Sequence, residues 1–586
     1  MISSKHFSKI AITLTAAVLI ACILAMCFSG QLFSNMHRTG YAMEYETALF
    51  DTDHILEVNI IMDDDQWNDM LDHAIQENYY QCDVVINGTT FYQVGIRPKG
   101  NTSLSSIAND PDNNRYSFKL EFDQFVDGQT CFGLDKLILN NNYADTTNMK
   151  EAIVYDMFRF LDADASLYNY AKISVNGEYW GVYLALEAIE QSFMLRNYGT
   201  KRGYLYKPDS LNHDDNNDHK ETSETGFPSM PEGGFPMPDF QKSEQNSQTS
   251  VNAEAGTEKA SERDDIRENT DAEAPTDHER ENEKSRSFPS GGMPGGGERM
   301  GRGGMHKSMG RGGNLNYTDD DLDSYSTIWD GQVNNSSDTD HKRVVEALKH
   351  VHDQTDLEQY IDVDQILKYM AVHNFSVNED SLSGSMAHNY YLYESNGQIS
   401  ILPWDYNLSF GGMHGGDGTS VINDPIDDTW SATQLFDFVL ENEAYKARYH
   451  EYYSKLITEY LYGGEFEKTY NRIRAQIDSL VELDPNAMYT YEEYLKGVEL
   501  FYEAVMLRTE SVKGQLDGSI PSTFEGQQAD SSALVDASHI NLSDLGQFMN
   551  GGGLPGGGNR QRDGSGQNSS DSADFPSPSG EFSQES

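Results

Sequence analysis

Two aspartates, Asp380 and Asp405, stand before and after a predicted β-hairpin, and this pattern constrains the fold more than any other part of the sequence. Residues 388–393 are rich in the aromatic side chains that favour strands, and residues 398–402 supply a return strand. The Asn-Gly pair at 396–397 is the strongest short signal for a tight hairpin turn. Because a hairpin brings its two ends together, we expect the two acids to be distant in sequence and close in space.

Two long segments have a composition that argues against a folded core. Residues 209–316 and 517–586 are dominated by small, polar and acidic residues with almost no aliphatic periodicity, so burial cannot offset the entropy lost on ordering the backbone. We predict a disordered insertion over 209–316 and a disordered tail over 517–586. Without them and the N-terminus, roughly 370 residues remain for folded structure, enough for one two-lobed domain or two ordinary domains.

The charge balance argues against a nucleic-acid partner. Asp and Glu number 94 and Lys and Arg number 42, which gives a net charge of −52. Such a surface repels phosphate over most of its area. A high negative charge is otherwise typical of a well-solvated, soluble surface.

The N-terminus resembles an export signal. Lys5, His6 and Lys9 precede an uncharged, mostly apolar run over residues 10–28, and a run of about 19 residues also suffices to span a bilayer. We predict that residues 1–40 form a signal peptide or a membrane anchor, and lipid modification at Cys22 is an alternative. The bulk of the chain is then expected outside the cytoplasm, either secreted or anchored to the cell membrane.

The foldable residues divide into a strand-rich half, 41–208, and a helical half, 317–516. The first half contains several strands, one helix over 149–161 and a hairpin with an Asn-Gly turn at 176–177. The second half has aromatic and aliphatic residues at helical spacing over 431–516. This order predicts an α+β fold with two lobes, one strand-rich and one helical, separated by a cleft that the two acids line.

Two cysteines lie in these halves, Cys82 and Cys131, and they form either one disulfide or two buried thiols.

In protein kinases a Lys on a strand contacts phosphate, a Glu on the following helix pairs with that Lys, and the last strand of the small lobe leads to the adenine. The polar residues of this chain follow the same order. Lys119, Glu151 and Glu187 occupy those places in order. The alternative interpretation of Lys119 is a solvated residue on a half-buried strand.

The acids of the hairpin region follow the same order. Asp380 would be the catalytic acid, and Asp405, ahead of a Phe-Gly pair, would hold magnesium. Asn389 is a second metal ligand by analogy with kinases.

Arg97 and Lys99 bracket a proline ahead of a Gly-Asn-Thr-Ser run and are candidates for phosphate contact through charge and backbone N–H groups.

Longer phrases of the sequence resemble one family. They are RPKGNTS, YSFKLEFD, ILNNNYADTTNMKEAIVYDMF, SVNGEYWGVYLALEAIE and NYYLYESNGQISILPWDYNLSFG. Over about 45–208 and 317–515 the chain is similar to the CotH family, spore-coat protein H and its relatives. The resemblance implies an atypical protein-kinase-like fold that uses ATP and magnesium to phosphorylate Ser or Thr of proteins. It also implies Asp380 as the catalytic-loop acid and Asp405 as the metal-binding acid. Asn407 stands where many relatives carry a second acid; its amide oxygen can still coordinate magnesium but supplies no charge.

Two other function classes remain open. The chain could be a non-catalytic surface or spore-coat binding protein, a pseudokinase or adhesin, because ATP is scarce outside cells. It could also perform another ATP-dependent modification, such as nucleotidylation or modification of a glycan or polyphosphate. As a kinase its expected partner is a protein substrate, either a coat or cell-surface protein or its own serines. The serines considered are Ser223, Ser229, Ser243 and Ser308.

Overall fold

Alternating apolar and polar residues in the first half build seven strands that close into a barrel. The order around the barrel is β1-β2-β3-β4-β5-β7-β6, and it closes because β1 pairs in parallel with β6. All other neighbours are antiparallel. The strands are β1 (Leu56–Ile61), β2 (Tyr80–Ile86), β3 (Thr89–Lys99), β4 (Ser117–Glu121), β5 (Lys136–Asn140), β6 (Tyr168–Val175) and β7 (Glu178–Glu187).

The computed structural model describes residues 40–208, 312–384, 387–413, 415–428, 433–546 and 548, all within one compact unit. The interior of the barrel is apolar, with side chains such as Ile60, Phe118 and Leu139 fully buried. The outer face of β3, β4 and β5 is charged, because the register sets Arg97 opposite Lys119 and Glu121 opposite Lys136. The inner face of these strands therefore forms the apolar core of the barrel, and their outer face carries charged side chains.

Helices make up most of the second half, and their ends carry recognisable caps. The longest has a capping box between Thr490 and Glu493, and it ends at Gly518 with φ +79°. The helices are α1 (Glu44–Ala48), α2 (Asp64–Asp72), α3 (Thr102–Ala108), α4 (Lys150–Phe160), α5 (Gln191–Tyr198), α6 (Ser326–Asp330), α7 (Asp338–His352), α8 (Leu357–Tyr360), α9 (Val363–Ser376), α10 (Thr419–Ile422), α11 (Asp437–Glu441), α12 (Glu443–Lys455), α13 (Glu465–Glu482), α14 (Tyr491–Asp517) and α15 (Phe524–Ala529). A π-helical turn, Leu456–Leu461, separates α12 from α13, and short 3-10 turns lie at Ala74–Gln76, Leu322–Tyr325, Gln434–Phe436, Ser531–Ala533 and Leu542–Leu545.

The hairpin between the two acids forms as its sequence predicts. Strands β9 (Tyr390–Ser395) and β10 (Gln398–Pro403) pair antiparallel, and β8 (Tyr204–Tyr206) adds to the edge of β9. Asn396 and Gly397 have φ of +55° and +90°, as a tight hairpin turn requires. The last strand of the first half thus joins the sheet of the second.

The prediction of a two-lobed protein-kinase-like fold is wrong. The strands form a closed barrel within an α+β structure, and one of its two apolar clusters contains side chains from both halves. Ile138, Leu184 and Leu186, on the outside of β5 and β7, pack into the same apolar cluster as Phe375 and Phe501 of the helical half. Local patterns identify strands and helices, but the parallel β1–β6 pairing and the apolar outer face depend on contacts that are distant in sequence.

Two predicted boundaries of disorder also need correction. In the predicted tail, Ala537, Ile540 and Leu542 are buried in the core, and Leu542 N donates to Gly416 O at 3.0 Å. In the predicted insertion, Leu315 is buried as well. Residues 209–311 of the insertion and residues 547 and 549–586 of the tail lie outside the described residues, as do residues 1–39 and the four serines considered as substrates.

Within the described ranges, no helix is long and apolar enough to cross a membrane. The predicted apolar run over 10–28 lies outside those ranges. Cys82 and Cys131 are buried free thiols. Of the two predicted alternatives, a disulfide or two buried thiols, the structure has the second.

Candidate active site

The loop that carries Asp380 begins where α9 ends, at Ser376. Both carboxylate oxygens of Asp380 are engaged: Oδ1 lies 2.8 Å from His388 Nε2, and Oδ2 accepts from Asn389 Nδ2 at 2.9 Å. The same Asn389 amide donates to the Asp380 backbone carbonyl at 2.9 Å. These contacts fix the direction of the carboxylate.

Asn378 joins the two acidic segments. Its Oδ1 accepts from Asp380 N at 3.3 Å, and its Nδ2 donates to Asp405 O at 3.2 Å. Because Asn378 is only 2 % exposed, one buried side chain holds both backbone segments together. The structure therefore brings Asp380, Asn389 and Asp405 into one region, on either side of the hairpin.

The Asp405 segment has an unusual backbone. Asp405 has φ +62°, in the left-handed region that few residues other than glycine adopt. Its neighbour Tyr406 is held through its hydroxyl, 3.2 Å from His373 Nδ1, while His373 Nε2 lies 2.6 Å from Ser383 Oγ. Burial lowers the pKa of His373 to about 3, so this histidine is a neutral bridge between the two loops.

A hydrogen-bonded chain leads from the barrel to Asp405. Lys99 Nζ donates to Asn140 Oδ1 at 2.9 Å, and Asn140 Nδ2 donates to Glu151 Oε2 at 2.9 Å. Glu151 Oε1 accepts from the backbone N–H of Tyr406 at 3.4 Å. Burial and the nearby Asp405 carboxylate raise the pKa of Glu151 to about 8. We call Lys99, Asn140, Glu151 and Asp405 the front cluster.

A second group of charges lies on the same outer face of the barrel. Lys136 Nζ is 2.9 Å from Glu190 Oε1 and 3.5 Å from Glu121 Oε1, and Lys119 Nζ is 3.8 Å from Glu190 Oε1 and 4.0 Å from Glu121 Oε2. Burial, together with the charge of Lys136, lowers the pKa of Lys119 to about 8. We call Lys119, Lys136, Glu121 and Glu190 the rear cluster.

Three other predicted site residues have local partners. Arg97 forms an ion pair with Glu77 at 2.6 Å. Glu187 is fully buried and paired with Arg196 at 2.6 Å. Asn407 Nδ2 donates to a backbone carbonyl in the loop after β5 at 2.7 Å, which orients its amide. None of these three residues is a member of the front or the rear cluster.

Sequence reasoning missed four residues that organise the site: Asn140, Asn378, Lys136 and Glu190. Asn140 follows three apolar residues at the end of the strand KLILN, and a polar residue at the buried end of a strand was a usable signal. Asn378 directly precedes the acidic pair, in the short segment between helix and hairpin. Lys136 and Glu190 carry no such signal, because the register of β5 sets Lys136 beside Lys119, and Glu190 reaches both lysines from the start of α5.

Three side chains near the hairpin could help to hold a magnesium ion. In the described part of the chain, no three His, Cys, Asp or Glu side chains converge to hold a metal ion. Magnesium is usually bound by one or two carboxylates with waters and substrate phosphates. Asp405, with the amides of Asn389 and Asn407 as further candidates, fits that requirement.

Comparison with protein families identifies a match over most of the chain. A family model described as CotH kinase protein matches residues 96–287 and 295–512. The match includes both acidic loops, the hairpin, and the barrel from the end of β3 onwards. No curated protein matches the chain.

Proposed function

This chain belongs to the CotH kinase protein family, and we propose that it transfers the γ-phosphoryl group of ATP, with magnesium, to Ser or Thr of a protein. The observation that carries the proposal is the hydrogen-bonded chain from Lys99 through Asn140 and Glu151 to the Asp405 segment. This chain brings the Lys99 ammonium group and the Asp405 carboxylate into one site. Asn378 connects that site to Asp380, because it hydrogen-bonds to the backbone of both aspartates.

Phosphoryl transfer makes particular demands on a site. Its transition state is loose, so catalysis consists mainly of positioning and of stabilising charge on the phosphate oxygens. Lys99 supplies positive charge, and its hydrogen bond to a neutral amide leaves that charge available to phosphate. Asp405 would hold the magnesium ion, which would supply neutralisation of the phosphate charge when bound.

Asp380 acts on the acceptor. Its carboxylate, fixed by His388 and Asn389, orients the substrate hydroxyl and accepts its proton as the oxygen attacks the γ-phosphorus. The bond from that phosphorus to the β-γ bridging oxygen breaks, and ADP leaves.

The test is incubation of the full chain with ATP and magnesium, followed by intact-mass measurement. We expect mass gains of whole phosphoryl groups that require magnesium and are lost in Asp405→Asn. The matched control is Asp353→Asn, an exposed aspartate at the end of α7, which should leave the gain unchanged. Peptide mapping then identifies the modified residues and tests whether residues 209–316 are a substrate in cis.

Two outcomes would contradict the proposal. Gain of a nucleotide in place of a phosphoryl group would show nucleotidyl transfer. Absence of both modification and magnesium-dependent ATP binding, with wild type and Asp405→Asn alike, would indicate a non-catalytic binding protein.

A further inference from the structure

A short segment near the C-terminal end of the described chain packs beside the acidic loop of Asp405. The segment lies in a mostly polar tail, yet four of its apolar side chains are buried: Ala537, Ile540, Leu542 and Leu545. The family match ends at residue 512, so the segment lies beyond the matched region. We call residues 537–546, together with Phe548, the strap.

The strap holds the glycine-rich loop, residues 411–413 and 415–418, that follows the Asp405 segment. Three backbone hydrogen bonds join them: Gly418 N donates to Ile540 O at 2.8 Å, Leu542 N to Gly416 O at 3.0 Å, and Phe548 N to Gly412 O at 3.0 Å. The Leu542 side chain also packs beside Gly411, where an added Cβ would lie 3.2 Å from it. The strap therefore fixes the glycine-rich loop near both of its ends.

The strap also holds the barrel loop at residues 143–146, directly after β5. Thr146 N donates to Leu545 O at 3.4 Å, and the Phe548 ring packs edge-on against Tyr143 with 6.4 Å between ring centres. A Cβ at Gly546 would lie 2.3 Å from Ala144 O. Gly546 has φ +92°, so a glycine is needed there both for the conformation and for the close approach.

These contacts converge on Asn407, a candidate magnesium ligand. Its Nδ2 donates to Tyr143 O at 2.7 Å, which leaves Oδ1 as the amide atom that can bind a cation. Groups that hydrogen-bond to a metal ligand orient it and tune the affinity of the site for the metal. The strap acts one step further out, because it holds both the loop that contains Tyr143 and the loop that follows Asn407.

We propose that the strap is a positioning element of the active site, which sets the orientation of Asn407 and thereby the affinity of the site for ATP with magnesium. Its residues act through the two loops that they hold. The inference rests on the proposed ATP-dependent function, and it extends the site to a segment beyond the family match.

The experiment measures ATP binding to the full chain by titration calorimetry, with magnesium and separately with EDTA, for wild type, Gly546→Ala and Gly464→Ala. The new methyl group of Gly546→Ala must move the strap away from Ala144. We therefore expect ATP binding with magnesium to weaken about tenfold, as loss of an outer partner of a metal ligand does, and binding in EDTA to stay unchanged. Gly464→Ala is the matched control, because Gly464 has φ +90° and no atom of the described residues lies within 4 Å of a Cβ added there. It should bind ATP as wild type does under both conditions.

Hydrogen exchange of the nucleotide-free proteins gives a readout that needs no ligand. Backbone amides of residues 143–146 and of the glycine-rich loop should exchange faster in Gly546→Ala than in wild type, and at the wild-type rate in Gly464→Ala. Phe548→Ala is a second variant, and it decides the question if Gly546→Ala does not fold, because the Phe548 side chain is only half-buried. It should weaken ATP binding with magnesium, less than Gly546→Ala does, and leave binding in EDTA unchanged.

The outcomes separate the two claims. Faster exchange of both loops combined with wild-type ATP affinity in magnesium would overturn the role of the strap and leave the proposed function intact. Equal weakening in magnesium and in EDTA would do the same, because it would show a general loss of structure. Failure of the wild-type protein itself to bind ATP with magnesium would overturn both the proposed function and the role of the strap.

Discussion

The front and rear clusters occupy the same outer face of the barrel but are built on different principles. In the front cluster, Lys99 is bonded to a neutral amide, and within the described residues no carboxylate forms an ion pair with it. In the rear cluster, two lysines face two glutamates, and their charges cancel within the group. A cation without a carboxylate partner can bind an anionic ligand. A group of lysines and glutamates that neutralise one another mainly stabilises the local structure.

The largest effect is expected at Asp380, which Asn378 ties to the front cluster. Asp380→Asn should lower kcat by about 10²–10⁴-fold, the usual contribution of a general base, and should leave the dissociation constant for ATP unchanged. Steady-state kinetics and nucleotide titration measure the two quantities separately. A loss of ATP affinity parallel to the loss of kcat would show that Asp380 belongs to nucleotide binding instead.

The rear cluster should matter more for stability. Lys136→Met leaves the carboxylates of Glu121 and Glu190 with less compensation, and we expect a loss of about 1–3 kcal/mol in the free energy of unfolding. Adding Glu190→Gln should recover part of that loss, because the double variant removes one charge of each sign. Lys99→Met, in the front cluster, should change stability less. Urea denaturation measures all four proteins, and a larger loss for Lys99→Met would reverse the comparison.

A smaller effect concerns the titration of Lys119. Its pKa is lowered from 10.5 to about 8 by burial and by the charge of Lys136, so its free amine appears at lower pH than that of an ordinary lysine. Acylation of Lys119 should therefore rise with a midpoint near pH 8. Lys136→Met should shift the Lys119 midpoint upward, since it removes a repelling charge. Peptide mapping after brief labelling at a series of pH values measures the Lys119 midpoint in both proteins, and equal midpoints in wild type and Lys136→Met would contradict the assigned environment.

The elements with strong local signals were predictable from sequence. The Asn-Gly turn of the hairpin and helix α4 both appear close to their expected positions.

Local patterns did not predict that the barrel closes. They also did not predict which of the two lysines, Lys99 or Lys119, connects to Glu151. Pairing of Leu56 with Ala171 joins segments more than a hundred residues apart, and nothing local to either strand encodes it. Lys99 and Lys119 lie on neighbouring strands and share the outer face through the register. Only the position of Asn140 at the end of β5 determines that Lys99, and not Lys119, connects to Glu151.

The most direct test of the central claim is the rate of magnesium-dependent phosphoryl transfer by Lys99→Met and Lys119→Met, measured beside wild type at saturating acceptor. If the front cluster carries the chemistry, Lys99→Met loses about 100-fold, as removal of one charge-stabilising group typically does, and Lys119→Met loses less than about tenfold. A larger loss for Lys119→Met, with Lys99→Met close to wild type, would contradict the account and assign the phosphate-binding role to the rear cluster.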